Sequence, residues 1–589
     1  MARPFYFFRD IYLLHTMCAV IVLLCLSGCA NLPSNVHRTP STALQEPYST
    51  PLGQLVSDQR KLAKTPYPSG FMLLGGAQAA YTSRLALIQS AQKTLDIQYY
   101  AIHADTSTTR LLQEVIRAAE RGVRVRVLLD DFHSAGKDAQ VMRLAFVKGI
   151  EMRMFNPVMG ARNSPPLRAI STLTDFARAQ QRMHNKLFIA DNAIGIAGGR
   201  NLGDAYFDGL DSDNFVDLDI MAAGRVVQQL SRSFDLYWND SRAYPVESLL
   251  SISQLDRMLS RPSVRQEDTV ESVQQTDGER TQKVLLDLPA MDLHSVPWIW
   301  APGVVLVDQP AKIAQPEIGN FSIVEYTQQL PEKLQSTPLI PRSETSLKSL
   351  RSPSKALTTN QATLSKVMDP VDAQSNVVDG LLTLIGLAEQ RLLIVSPYFV
   401  PGEDMKAAFR AAIQRGVLVR ILTNSLASND APVAHAGYAR HRKELLEMGV
   451  ELYEMRSLQS DDISTLRSTA KQVAGSTGQS RAMLHSKLMV VDGQITVVGS
   501  MNLDMRSQLQ NTEIALLVAS RKLSEQARTN INSSLAENAW RVMLDEQGKL
   551  VWKAPAHTDW GDQTSEPDAS WPLRMLIRLI GPLAPDHLL

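Results

Sequence analysis

Two stretches of this 589-residue chain set a histidine two positions before a lysine and repeat the same surroundings. The first reads His184-Asn185-Lys186, then Asp191, then Gly198-Gly199-Arg200-Asn201. The second reads His485-Ser486-Lys487, then Asp492, then Gly499-Ser500-Met501-Asn502, with identical spacing from histidine to asparagine. On a strand, residues i and i+2 share a face, so each His and Lys point into one space. An imidazole can attack phosphorus while a second protonates the departing oxygen. Lysine ammonium groups and asparagine amides stabilise charge on the non-bridging oxygens without a metal. Glycine beside the asparagine, as at Gly199, lets backbone come close to a bulky phosphate, and Ser500 stands in its place in the second copy. One symmetric phosphodiester site results only if the two stretches face each other.

The elements that must arrange this are themselves repeated. Arg121-Gly122-Val123-Arg124-Val125-Arg126-Val127-Leu128 recurs as Arg415-Gly416-Val417-Leu418-Val419-Arg420-Ile421-Leu422, and Lys148-Gly149-Ile150-Glu151 as Met448-Gly449-Val450-Glu451. With the histidine motifs, three landmarks recur in one order, each roughly 300 residues on, which marks a duplication. Thr94–Tyr100 and Arg391–Ser396 read as strands, and Thr108–Arg121 carries Leu111, Leu112, Val115, Ile116 and Ala119 at helical spacing before Gly122. Asp191-Asn192 and Asp492-Gly493 are turn pairs, each followed by an apolar run, so each motif reads as a hairpin that folds the asparagine back beside the histidine. The expected fold is α/β: two halves related by a pseudo-twofold, each a mixed β-sheet flanked by helices.

With 60 basic and 60 acidic residues the chain is neutral, which speaks against a nucleic-acid partner. All three cysteines, Cys18, Cys25 and Cys29, lie near the N-terminus, so neither a disulfide framework nor a cysteine zinc site is available to the body. Arg3 and Arg9, an apolar run from Ile11 to Leu26, and Leu26-Ser27-Gly28-Cys29 resemble a bacterial lipoprotein signal with lipidation at Cys29. The expected organisation is a signal peptide over 1–28, a tether over 29–65, a first half over 66–245, and a largely irregular or disordered insertion over 246–376. A second half follows over 377–555, then an amphipathic tail over 556–589. Within the insertion, Trp298-Ile299-Trp300 and Val304-Val305-Leu306-Val307 are expected to form local strands on the core. In the tail, Trp571 to Ile580 sets Arg574 and Arg578 among apolar residues; it is too short to span a bilayer, and either lies in its interface or packs on the core. The anchor places the enzyme in the bacterial envelope, facing the periplasm, and Ala30 in place of an aspartate after Cys29 favours the outer membrane.

The paired motifs resemble the HKD signatures of the phospholipase D superfamily. The resemblance implies that one histidine is the nucleophile, assigned to His184, and the other the acid and base, assigned to His485. It also implies that Lys186, Lys487, Asn201 and Asn502 hold the phosphate, and that no metal or other cofactor is needed. The motif aspartates, Asp191 and Asp492, are expected to serve hairpin and core rather than substrate. Acids downstream are expected to orient the imidazoles: Glu513 after Asn511-Thr512, and Asp217 or Asp219 in Asp217-Leu218-Asp219. Leu95-Asp96-Ile97-Gln98-Tyr99-Tyr100, Ser396-Pro397-Tyr398-Phe399-Val400-Pro401-Gly402 and His435-Ala436-Gly437-Tyr438 are similar to segments of bacterial cardiolipin synthases, in particular their lipoprotein-like C branch. That likeness implies transfer of a phosphatidyl group to a second lipid such as phosphatidylglycerol, with phosphatidylethanolamine a further substrate, at a membrane. The alternatives are a hydrolytic phospholipase D releasing phosphatidic acid, a nuclease, and a noncatalytic envelope lipoprotein.

Overall fold

The computed structural model describes residues 32–134, 136–158, 175–207, 213–259, 288–313, 377–456, 481–581 and 585–586. Cys29 and the leader lie outside them, as do 260–287 and 314–376 of the expected insertion.

Two nine-stranded sheets form the body. In the first, Thr94–Tyr99, Arg124–Asp130 and Ile150–Phe155 run parallel, and Leu187–Ala190 joins the other side of Thr94–Tyr99 antiparallel. In the second, Arg391–Val395, Leu418–Asn424 and Glu451–Met455 run parallel, with Leu488–Val491 antiparallel beside Arg391–Val395. The parallel strands are joined by helices because a parallel return needs a long crossover. Thr106–Glu120 makes the first of these, its N-terminus capped by the Asp105 carboxylate accepting from the Thr108 N–H, and Glu403–Gln414 is its counterpart. Three large apolar cores result among the described residues. One lies under the outer helices of each half, and the third draws Leu187, Ile220 and Phe234 of the first half together with Leu488, Leu516 and Ile531 of the second. That shared core makes the halves one body.

The described part of the expected insertion carries regular elements that join the two sheets. Ile299–Trp300 pairs with Ser69–Gly75 in the first sheet. Two residues later Gly303–Val307 pairs with Ile514–Ala519 in the second. In that sheet it holds the place that Ser69–Gly75 holds beside Leu218–Gly224 in the first. The second repeat therefore starts at Gly303, and residues 314–376 interrupt it instead of separating the halves.

The tether reading of 29–65 is also corrected. Pro51–Leu62 is a helix capped by Thr50, and Leu52 and Val56 are buried in the first core. Upstream, the Asp235 carboxylate accepts from the Ala43 N–H at 2.8 Å, and the Arg38 guanidinium donates to the Ala243 carbonyl at 3.0 Å. These bonds are made by polar groups at irregular spacing, which leaves no periodic signal in the sequence. In the tail, Trp571–Ile580 is a helix whose Leu573 and Ile577 pack on Leu426 and Ala427.

Candidate active site

Each histidine motif sits where one half reaches into the other. Arg182–Met183 pairs in parallel with Asn511–Thr512, and the His184 N–H donates to the Thr512 carbonyl at 2.9 Å. Arg481–Leu484 pairs in parallel with Asp213–Val216, and the His485 N–H donates to the Val216 carbonyl at 2.9 Å. The register places the next residue of each partner strand, Glu513 or Asp217, beside the opposite half's imidazole. His184 Nδ1 lies 3.0 Å from Glu513 Oε2, and His485 Nδ1 lies 2.6 Å from Asp217 Oδ2. Each acid thus serves the histidine of the other repeat. Asp219 does not take this role: its carboxylate accepts from the Arg84 guanidinium at 2.8 Å and faces Arg200.

A carboxylate on Nδ1 holds that nitrogen as the N–H, which turns the Nε2 lone pair to the chemistry; Lys487 Nζ stands 3.3 Å from Nε2 of His485. Both hairpins form at the expected pairs. Asp191 and Asn192 have φ of 51° and 52°, and Asp492 and Gly493 have 53° and 62°, the left-handed pairs of a tight hairpin turn. Lys186 and Lys487 are buried, each donating from Nζ to the carbonyl of its own histidine, at 2.8 and 2.7 Å. Lys186 also lies 5.4 Å from the Tyr100 ring, which meets His184 edge-on at 5.0 Å.

The remaining expected site residues divide. Asn502 is buried, and its Oδ1, an acceptor, has no hydrogen-bond partner among the described residues. Asn201 is partly committed, its Oδ1 accepting from the Ala101 N–H and its Nδ2 donating to the Tyr206 hydroxyl at 2.9 Å. Ser500 is corrected from phosphate holder to support for an acid, because its hydroxyl donates to Glu513, as does that of Ser507. A Cβ at Gly199 would stand 2.9 Å from Asp217 Oδ1, so the glycine makes room for the acid. Asp191 and Asp492 touch no imidazole: their carboxylates accept the N–H groups of Gln92, Lys93 and Thr94, and of Glu389, Gln390 and Arg391.

Electrostatics distinguish the two imidazoles. Burial, then Lys186, Lys487, His485 and Arg506, push His184 well below its ordinary value. Burial and Lys487 also lower His485, but the Asp217 carboxylate opposes them. Burial raises Asp217 too, yet His485, Lys487 and Arg200 outweigh it and hold that acid below its usual range. Burial pushes Glu513 up to about 7 against the pull of Lys186, and Lys186 itself falls to about 7, chiefly by burial. His184 is thus the more firmly neutral ring, and His485 has the more fully ionised partner.

Several residues of the site carried no signal that spacing could find. Asn185 and Ser486, the variable middle positions, staple the halves: Asn185 Oδ1 accepts from the Thr512 hydroxyl, and the Ser486 hydroxyl donates to the Val216 carbonyl. Tyr206 and Phe215 line His485 at 5.4 and 4.9 Å. Tyr398 donates to the Asp430 carboxylate at 2.7 Å, while its neighbour Phe399 is core. A second copy of each motif was the available clue, and none of these residues repeats.

The family described as "Cardiolipin synthase, PLD-like domain" matches twice, over residues 85–238 and 381–535. The cardiolipin synthase C of Escherichia coli (strain K12) is 32% identical over 528 residues, covering 89% of this chain and 97% of that one. The cardiolipin synthase A of Pseudomonas putida (strain W619) is 24% identical over 480 residues, covering 81% and 70%. The solved phosphatidylserine synthase of Haemophilus influenzae Rd KW20 shares the fold, with a TM-score of 0.50 at 12% identity over 90% of this chain and 100% of that one. With two matched domains, two histidine–lysine motifs and one shared site, the chain belongs to the cardiolipin synthase, PLD-like domain family of the phospholipase D superfamily.

Proposed function

We propose that this enzyme transfers a phosphatidyl group from one phospholipid to another, making cardiolipin through a phosphohistidine. The observation that carries the reading is the crossed pairing of His184 with Glu513 and His485 with Asp217, which prepares two Nε2 atoms of unequal basicity at one site. The Nε2 of His184 attacks the phosphorus of phosphatidylglycerol or phosphatidylethanolamine. A bond forms from nitrogen to phosphorus as the headgroup oxygen leaves, taking a proton from His485. His485 then accepts the proton of an incoming glycerol hydroxyl on phosphatidylglycerol, whose oxygen displaces nitrogen from phosphorus and frees His184. The buried Lys186 and Lys487 ammonium groups, with the Asn502 Nδ2 as a further donor, balance the charge on the phosphoryl oxygens throughout.

Lipidation at Cys29 would tether the enzyme to the envelope on its periplasmic side. The Leu26-Ser27-Gly28-Cys29 sequence and the outer-membrane hint of Ala30 support that placement.

The test is mass spectrometry of lipids after reaction with phosphatidylglycerol, with and without phosphatidylethanolamine, and mapping of trapped phosphohistidine in the same sample. Cardiolipin as product and phosphate on His184 are expected, and His184→Ala or His485→Ala should each nearly abolish turnover. Phosphatidic acid as the sole product would defeat the transferase reading.

A further inference from the structure

Several of the exposed large apolar side chains stand on the segments that lead into the site. On one lip stand Phe132, Phe176 and Leu509, which are 41%, 44% and 46% exposed. Phe132 follows the strand ending at Asp130 and stacks on Tyr100, the ring that meets His184. Phe176 opens the short helix that runs into Arg182–Met183, and Leu509 ends the one that runs into Asn511–Thr512, the two strands that pair just before His184. On the other lip, Val433 is 41% exposed, three residues after Asp430, whose charge acts on His485 and Lys487.

The C-terminal helix extends that second lip. Leu573 and Ile577 face inward onto Leu426 and Ala427, just past the strand that ends at Asn424. The Asn424 amide donates to the Leu484 carbonyl, one residue before His485. The opposite face shows Trp571, Leu576 and Leu579, which are 71%, 47% and 67% exposed, with the exposed Arg578 beside them. A tryptophan and two leucines turned to solvent on a helix edged by arginine suit the headgroup–acyl boundary of an anionic bilayer.

We propose that the two lips seat the mouth of the site on an anionic phospholipid surface, so that lipids pass between bilayer and histidines. The proposal rests on the phospholipid reading of the site above and adds the surface through which those lipids arrive. Exposed apolar side chains on the segments that lead into the site, with the exposed Arg578 beside those of the C-terminal helix, select a bilayer over a protein partner. A protein bound there would close the path to the histidines.

Two measurements on the full chain test it. With phosphatidylglycerol vesicles whose acyl chains carry bromine, tryptophan fluorescence is quenched, and Trp571→Phe removes most of that quenching. In the variant W571S/L576S/L579S, the apparent KM for vesicle-borne lipid rises about tenfold or more, while the rate on a dispersed short-chain phosphatidylglycerol is unchanged. Quenching that Trp571→Phe leaves intact would overturn the proposal. So would equal losses on both forms of substrate, or a dimer that the triple variant dissociates with no change on vesicles. If Trp571 is quenched but neither form of lipid is turned over, the docking surface stands and the proposed chemistry fails.

Discussion

Asp217 and Glu513 occupy equivalent places in the two repeats yet give their imidazoles different fields. Asp217 is held ionised by His485, Lys487 and Arg200, whereas burial leaves Glu513 near 7, its oxygens occupied by the hydroxyls of Ser500 and Ser507. Asp217 therefore does two things for His485: it orients the ring and raises its affinity for a proton. Glu513 mainly orients. Asp217→Asn is expected to lower kcat by roughly 10³–10⁴-fold and Glu513→Gln by roughly 10–10²-fold. The pH profile separates the two effects. Removing the Asp217 charge removes an influence that raises the His485 value, so His485 loses its proton at lower pH and the alkaline limb of kcat/KM moves down. Glu513→Gln should leave that limb in place. Profiles of both variants check this, and the reverse order of effects would exchange the roles of His184 and His485.

At the scale of elements, the motif aspartates are turn devices, and their surroundings rank them. Asp191 is fully buried and receives three N–H groups at the start of the central strand Thr94–Tyr99 in buried or part-buried bonds, whereas Asp492 is half-buried and the three bonds it receives are exposed. Unmade bonds at a buried site cost far more than bonds that water replaces. Asp191→Ala should destabilise the fold by about 3 kcal/mol and Asp492→Ala by about 1 kcal/mol. The similar positive φ at the two positions, 51° and 53°, makes backbone strain cancel in the comparison. Urea unfolding midpoints test it, and kcat per folded molecule should stay close to wild type in both. The hairpins, the parallel strands and the histidine–lysine faces were legible because a duplication states each of them twice. The crossed acids were legible as residue types but not as partners, since nothing local records which strand from the other half will pair with Arg182–Met183. Gly303–Val307 was legible as a strand on the core, but its place as the second repeat's first strand was hidden for another reason. Gly303-Val304-Val305-Leu306-Val307 shares little with Ser69-Gly70-Phe71-Met72-Leu73-Leu74-Gly75 beyond being apolar, and residues 314–376 divide it from the helix that follows.

The whole molecule depends on a strap. Between Ile299–Trp300 and Gly303–Val307 only Ala301 and Pro302 intervene, so one stretch of chain edges both sheets. Asp308, just beyond, is buried and accepts from the N–H groups of Val377 and Glu513, tying the strap to the resumption of the second repeat and to the acid of His184. Covalent continuity through 314–376 is then not what holds the halves together; the shared core and the strap are. A chain carrying a specific protease site within 314–376 should, once cut, elute as one particle and keep its activity to within about twofold, because the fragment ending there still supplies Gly303–Val307 to the second sheet. The fragment from 314 to 589 made alone lacks that edge strand, both His184 and Asp217, and half of the shared core, and should be inactive and poorly folded. Mixing it with the complementary fragment during refolding should restore transfer, since each His–acid pair takes one member from either side of the cut. Co-elution by size exclusion with lipid product analysis reads both outcomes, and separation of the cut halves into independently folded particles would place the integrity of the site in the segment 314–376 instead.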